Sequence, residues 1–395
     1  MAALKKEPVR TEHLRGFKYF RLLGPLLEHL HSAATTRDRA GNRDLHFDQY
    51  AALVLFYFFN PVLTSLRGLQ QASTLEKVQR RLGVPRTSLG ALSEAATVFD
   101  PELLQAVIAE LADRARGTAP PEERAALRDL TAVDGRLLPA LPRMAWALWQ
   151  DDGHRAAKMH VAFAVLSKVP IGVTVTEGTG SERQQWRRLC RPGGFYVVDR
   201  GYADYDLFRE LRDAGCSFVA RVQQNAVYEV TEERPLSVAD RAAGVVRDCL
   251  IRRLGTEKHN RLLERPLRVV VVATGKVHPD GTPVELVLVT DRLDLTADLV
   301  ALAYKYRWTV ELFFRWLKCI LGCRHLISES RDGVTIQVYA ALIASLLISL
   351  WTGRPATKRT YEMICFYLSG WASEDEMQAH IEKLHSKDPP ATSNS

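Results

Sequence analysis

What the 395-residue chain lacks narrows its class before any motif is read. It has no apolar run of the roughly 18–20 residues that a membrane-spanning helix needs; the two longest are residues 53–59 and 338–351, and both read as buried core. Residues 1–23 carry scattered charges and no continuous apolar stretch ending in a small-residue cleavage site. No signal peptide is therefore expected, and the expected location is the cytoplasm. Cysteine is sparse and scattered: Cys190, Cys216, Cys249, Cys319, Cys323 and Cys365 stand singly, as reduced thiols do in a cytosolic protein. Cys319, Cys323 and His325 could suggest zinc. The two cysteines lie one turn apart in an apolar helix, however, and no second ligand cluster follows, so buried thiols are the better reading. Neither sign of charge dominates: Lys plus Arg is 53 against 46 for Asp plus Glu, a net charge of +7. That balance permits a polyanionic partner without requiring one. No internal repeat is present.

Hydrophobic residues make up 47% of the chain and charged ones 25%, the proportions of an ordinary globular protein. Residues 1–120 read as helical. Within them 75–95 looks like helix, short turn, helix, with Arg80, Arg81 and Arg86 near the turn, either a DNA reader or an ordinary helix pair. Residues 117–124 have the proline and glycine content of a linker. From residue 128 strands begin, at 130–133, 159–166 and 171–176. A helix at 181–190, a strand at 195–198, a helix at 205–214 and a strand at 218–222 follow. This order predicts an α/β layout with a mixed sheet. Residues 225–293 stay β-rich, with strands at 267–274 and 284–290, while 234–258 reads as charged and irregular. One long helix is expected over 296–322, then the apolar helix ending near Trp351, and a polar tail at 387–395.

Two aspartates stand at strand ends: Asp134 directly after 130–133, and Asp199 directly after 195–198. Either alone could be a turn former. On the long helix Tyr304, Arg307, Glu311 and Lys318 fall within one arc of about 60° at about 100° per residue. An exposed Arg–Glu pair at this spacing is common and contributes little. Here the stripe runs beside Trp308, Phe313, Phe314 and Trp316, which fits a polar face turned to an internal cleft better than one turned to solvent. Asp134, Asp199 and Glu311 together would suit a pair of Mg²⁺ ions, with Mn²⁺ as a substitute, because hard cations take carboxylate oxygens. Such a pair supports phosphoryl transfer, and Arg307 and Lys318 would hold DNA phosphates. Lys158 and His160 alternate with apolar residues on a strand. Asp151 and Asp152 sit in a polar loop with Gly153, and no role is assigned to them.

The spacing Tyr304-x2-Arg307-x3-Glu311-x6-Lys318 resembles the Y-R-E-K signature of bacterial insertion-sequence transposases of family four, within the DDE group. Asp199-Arg200-Gly201-Tyr202 resembles that family's second acidic motif and Asp134-Gly135 its first, with Lys158-Met159-His160 where the family often has Lys-x-His. The resemblance runs from about residue 131 to 351. It implies a ribonuclease H-like mixed sheet with a β-rich insertion, flanked by an all-helical N-terminal region and a helical C-terminus. The implied parts are 1–120 for DNA binding, 121–224 and 294–352 for the catalytic domain, 225–293 for the insertion, and 353–395 for the C-terminal region. It also implies Mg²⁺-dependent cutting at element ends, followed by attack of the freed 3′-OH on target DNA. The implied partners are double-stranded DNA and a second copy of the chain, at the bacterial nucleoid. Arg200 and Tyr202 would line the phosphate path or simply form the turn after the strand. Hairpin-forming relatives stack a base on an aromatic residue, often Trp, of the insertion; none of the seven Trp here lies in 203–300, and Phe218 and Tyr228 read as strand or core residues. Two alternatives stay open: a DNA-binding relative without activity, and a metal-dependent nuclease without strand transfer.

Overall fold

Residues 23–32, 43–116, 122–139, 144, 146–151, 154–257, 260–322 and 326–385 are described by a computed structural model. They fall into two units. One draws on described residues up to 115, on 144 and 146, and on 314–385; the other on 116–139 and 147–313. Cys323, His325, Asp152, Gly153, residues 1–22 and the polar tail lie outside the described residues, as does the side chain of Cys319.

The first unit is helical among its described residues. The pair anticipated over 75–95 is present as helices Glu76–Leu82 and Leu89–Val98. Gly83 ends the first at φ 64, a left-handed turn that only glycine adopts without strain. Ser88 opens the second by accepting the Ala91 amide. At the centre runs helix Arg331–Thr352, capped by Ser330, and nearly every side chain on it is buried. Its 22 residues are long and apolar enough to cross a membrane by length and composition alone. Most of them are buried among this unit's own residues, which makes it a core helix. Its polar groups are matched inside: Gln105 donates to the Tyr339 hydroxyl at 2.7 Å, and Trp316 Nε1 donates to Ser345 at 2.8 Å.

Among the described residues, the second unit is built on ten strands. They are β1 (Leu130–Pro139), β2 (Leu148–Asp151), β3 (His154–Ala164), β4 (Val169–Glu177), β5 (Phe195–Val198), β6 (Ser217–Arg221), β7 (Val227–Glu233), β8 (Val245–Gly255), β9 (Asn260–Val277) and β10 (Pro283–Thr290). The sheet's spatial order is β4-β3-β1-β5-β6, with β1, β3 and β4 antiparallel and β1, β5 and β6 parallel. Three antiparallel strands followed by two parallel ones reached through helices Glu182–Leu189 and Tyr205–Asp213 is the ribonuclease H-like arrangement. β10 then pairs antiparallel with β6, and β9, β8 and β7 follow outward. The β-rich segment 225–293 therefore continues the same sheet instead of building one of its own. One face of this sheet packs Val133, Val198, Phe218, Ala220, Cys249, Ile251 and Val269 against Trp186, Phe208 and Leu211 of the helices.

Five expectations are corrected. β1 does not stop at Val133; parallel pairing with β5 covers 130–133, but antiparallel pairing with β3 carries the strand on, so Asp134 lies inside it. The segment 234–258 is not irregular: it contains helix Val238–Ala242 and strand β8. In β8 the charges Arg247, Arg252 and Arg253 alternate with buried Val245, Cys249, Ile251 and Leu254, and bulges break the strict period of two. A short strand, β2, precedes β3. The expected single helix over 296–322 is two, Ala297–Tyr306 and Trp308–Gly322, with a tightened turn at Arg307 whose amide bonds the Tyr304 carbonyl at 3.1 Å. Trp308 and Leu312 on it are about half exposed, not core.

The anomaly in the β8 pattern is Asp248, 4% exposed, gripped by equally buried Arg268 through two bonds of 2.7 Å. Arg268 also donates to the Leu295 carbonyl. Removing one partner of such a pair leaves a charge stranded in the core, at about 3–5 kcal/mol. Asp248→Ala is thus expected to lower stability by about that much in denaturant titration; a change below 1 kcal/mol would mean the pair contributes nothing net.

Candidate functional site

The parallel register pairs Val133 with Val198 and Val198 with Ala220. One step beyond it, Asp134, Asp199 and Arg221 follow at the same edge of three neighbouring strands. Asp134 and Asp199 share a local geometry: each carboxylate accepts the amide of the next residue, Gly135 or Arg200, at 2.8 Å. After Asp199 the chain turns through a short 3-10 segment, Arg200–Tyr202.

The third element is the helical segment on either side of Arg307. Arg307 Nη1 donates to Asp134 Oδ2 at 3.2 Å, Nη2 donates to Glu311 Oε1 at 3.0 Å, and Nη2 stands 4.0 Å from Asp199 Oδ2. One guanidinium, 8% exposed, thus reaches all three predicted carboxylates. Tyr304 donates its hydroxyl to Asp199 Oδ1 at 2.9 Å, and its ring lies 5.7 Å from the Arg307 guanidinium carbon. Of the four-residue stripe, Tyr304, Arg307 and Glu311 meet the two aspartates. Lys318 is exposed and belongs to the other unit.

The two aspartates differ electrically. Burial pushes the Asp134 carboxyl up to about 6, against the pull of Arg307 and the Gly135 amide. Burial would raise Asp199 too, but the Arg200 amide, Arg307, Tyr304 and Arg221 together outweigh it and hold this carboxyl below its usual value. Arg221 was not anticipated from the sequence. It lies 3.6 Å from Asp199, and the signal was available: it ends the strand parallel to β5.

Behind Asp134 lies a second polar group. Gly135 pairs across with His160, and a side chain at 135 would press on Lys158 Cε (3.0 Å), the Tyr202 hydroxyl (3.1 Å) and His160 Nδ1 (3.2 Å). Lys158 is held by Glu182 at 2.6 Å. His160 is fully buried and burial drops it to about 3, so it is neutral. Tyr202 is 1% exposed and packs edge-on to Trp186. Its expected place on a phosphate path is therefore corrected: the ring is a wall behind Asp134. Arg200 is exposed, and Phe218 is core.

Carboxylate oxygens from three elements suit a hard divalent cation. Among the described residues, no three acidic, imidazole or thiolate groups stand drawn up as a ready metal site. At this cluster it is Arg307 that spans the acids, so they fit the ion once the guanidinium gives way. The raised Asp134 carboxyl has a consequence for the metal-free protein. Its native value of about 6 exceeds the ordinary 3.8, so the folded chain keeps a proton that the unfolded chain releases between those values. Stability is therefore lost as pH rises through that window. Asp134→Asn in EDTA is expected to be more stable than wild type by about 1–3 kcal/mol at pH 7–8, the gap closing below about pH 4. Equal melting curves at pH 8 would show that the carboxylate is not strained.

Residues 125–347 match the family model described as a transposase DDE domain. The Sinorhizobium fredii protein named as transposase y4zB is 31% identical over 231 residues, 58% of this chain and 62% of that protein. A Geobacillus stearothermophilus protein named as a transposase for insertion sequence element IS5377 is 26% identical over 289 residues, 72% of each chain. A Synechocystis protein named as a transposase for element IS4SA is 22% identical over 227 residues, 56% of this chain and 60% of that one. The chain thus spans under two thirds of two of these relatives. With more than half its own length matched by the family model, and with relatives named as transposases, two of them for insertion sequence elements, the chain belongs to the DDE transposase family.

Proposed function

We propose that the chain is a DNA transposase that cuts at the ends of an insertion sequence and joins the freed 3′-OH to target DNA. The observation that carries this reading is the convergence of Asp134, Asp199 and Glu311 on one guanidinium, with Tyr304 bonded to Asp199. The family is generally dependent on a divalent metal. In this reading Asp134, Asp199 and Glu311 hold two Mg²⁺ ions, which Mn²⁺ can replace. The chemistry supplied there is activation of the attacking oxygen and stabilisation of the leaving one in an in-line displacement.

The chain's own residues supply position and charge. Arg307 offers a fork to a phosphate, Lys318 a point charge, and exposed Arg200 a further cation beside Asp199. Tyr304 fixes the orientation of Asp199, and the buried wall of Tyr202 and His160 fixes the backbone of Asp134. Water attacks the phosphodiester at the element end, its oxygen bonding to phosphorus as the bond to the 3′ oxygen breaks. The freed 3′-OH then attacks a target phosphodiester and displaces a target 3′ oxygen, with no covalent link to protein. The partners in this reading are the double-stranded DNA of element ends and target, and a second copy of the chain on paired ends. The helix pair Glu76–Leu82 and Leu89–Val98, with Arg80, Arg81 and Arg86 near its turn, supports DNA reading by the N-terminal region.

The test uses the DNA flanking the gene, including terminal inverted repeats, with strands mapped at nucleotide resolution. Cuts at the repeat ends are expected with Mg²⁺ and not with Ca²⁺. Loss of an outer-sphere partner typically costs 10–100-fold, so loss of a ligand, in Glu311→Gln, should lower cutting by at least about 100-fold. Binding without cutting would favour the inactive relative. Cutting without joining of supplied 3′-OH ends would favour a nuclease.

A further inference from the structure

An arginine among three carboxylates poses a problem for any ion that must sit among them. Arg307 is within 4.0 Å of Asp134, Asp199 and Glu311 at once, and Arg221 adds a second cation 3.6 Å from Asp199. The three negative charges are thus largely balanced without a metal. A guanidinium is never deprotonated in a protein, so it cannot make room by losing its charge. It can only move or share. Its Nε, moreover, is buried with no hydrogen-bond partner, so one of its donors remains unspent in the present arrangement.

We propose that Arg307 is a built-in counter-ion that occupies the acidic site until a DNA phosphate draws its fork away, so that divalent metal and DNA load together. This rests on the reading of Asp134, Asp199 and Glu311 as metal ligands. The chemistry favours such an exchange. A phosphate accepts the planar fork of arginine through two parallel bonds, as a carboxylate does, and it brings its own negative charge. With two divalent ions and both arginines in place the site would be strongly positive, and the strand's phosphates supply the missing anions. Without DNA, the metal must compete with a tethered cation at very high local concentration. Tyr304, its ring beside the guanidinium, holds Asp199 through its own hydroxyl, so movement of Arg307 leaves that bond to the carboxylate in place. The gain from this arrangement is that chelated, hydrolytically competent metal accumulates only where a strand is bound.

The test measures Mn²⁺ binding to the full chain, without DNA, by the electron paramagnetic resonance of free Mn²⁺. Arg307→Gln is expected to bind Mn²⁺ at least about tenfold more tightly than wild type, since one charge that opposes the ion at close range is gone. Arg307→Lys keeps a cation but cannot fork, and falls between; it carries the test should the glutamine variant fail to fold. Glu311→Gln placed on Arg307→Gln removes the gain. A duplex cut from the flanking DNA so that it ends at the terminal repeat should tighten Mn²⁺ binding to wild type and do so far less in Arg307→Gln. By reciprocity, Mn²⁺ tightens wild-type binding of that duplex by the same factor. Mn²⁺ binding in Arg307→Gln equal to or weaker than in wild type, with Glu311→Gln still weakening it, overturns the counter-ion and leaves the metal site standing. Wild-type Mn²⁺ binding that the duplex leaves unchanged also overturns the coupled loading. Should Glu311→Gln alter Mn²⁺ binding in neither background, it is the metal reading that fails.

Discussion

Parallel pairing of β1 with β5 brings two carboxylates to adjacent backbones, one step beyond the last paired residues, since Val133 faces Val198 and the aspartates come next. A like-charged pair about 5 Å apart, at an effective dielectric of about 20, repels by about 3 kcal/mol. The fold adds a third acid from a helix. Much of the surrounding design answers this crowding. The Gly135 and Arg200 amides point at the two aspartates, Arg221 ends the next strand, Tyr304 donates a hydrogen bond to Asp199, and Arg307 reaches all three acids. The relief is uneven. Asp199 is over-supplied with donors and cations, whereas Asp134, sunk deeper, keeps a raised carboxyl. A site held in this state is stable by compensation, its carboxylates balanced by cations and donors of the chain itself.

Much of this was legible in the sequence for identifiable reasons. The strand 195–198 is a fully buried run bounded by Gly194 and Asp199, and it is found with the boundaries expected. Tyr304, Arg307 and Glu311 share one face because their spacing is set by the helical turn, and the tightened turn at Arg307 leaves that face intact. Asp134 was read as a strand end because apolar patterning stops at Val133. Its strand continues through pairing with β3, a long-range interaction that local composition does not report. β8 was missed for a related reason: arginines crowd its exposed positions, and a buried Asp248 stands where an apolar residue is expected. Arg268, twenty residues away in sequence, makes that aspartate compatible with a core, with Arg234 a second cation 4.0 Å from it.

Phe163 and Phe313 illustrate the limit of the stripe argument. The aromatics beside Tyr304, Arg307 and Glu311 imply a buried helix, and Phe313 does pack on Phe163 of β3, rings 5.1 Å apart. Yet Trp308, next to Arg307, is 54% exposed. Composition counts aromatics without saying which face each occupies. A polar stripe with apolar neighbours on both sides can have one neighbour in the core and the other in solvent.

The attachment of the β-rich segment bears directly on the site. β10 meets β6 where Leu288 faces Arg221, so the strand that delivers Arg221 to Asp199 is shared between the ribonuclease H-like sheet and the strands beyond it. The junction is secured twice: Thr290 donates its hydroxyl to the Phe218 carbonyl, and Asp291 accepts the Phe218 amide at 2.8 Å. These bonds replace ladder partners that β6 loses where pairing with β10 ends, so no backbone donor of Phe218 is left unmatched in the core. A segment hydrogen-bonded to β6 over this length cannot shift along it without dragging Arg221, and the charge on Asp199 would respond. The insertion is thus mechanically part of the acidic site, through the backbone of one strand, even though none of the three carboxylates comes from it.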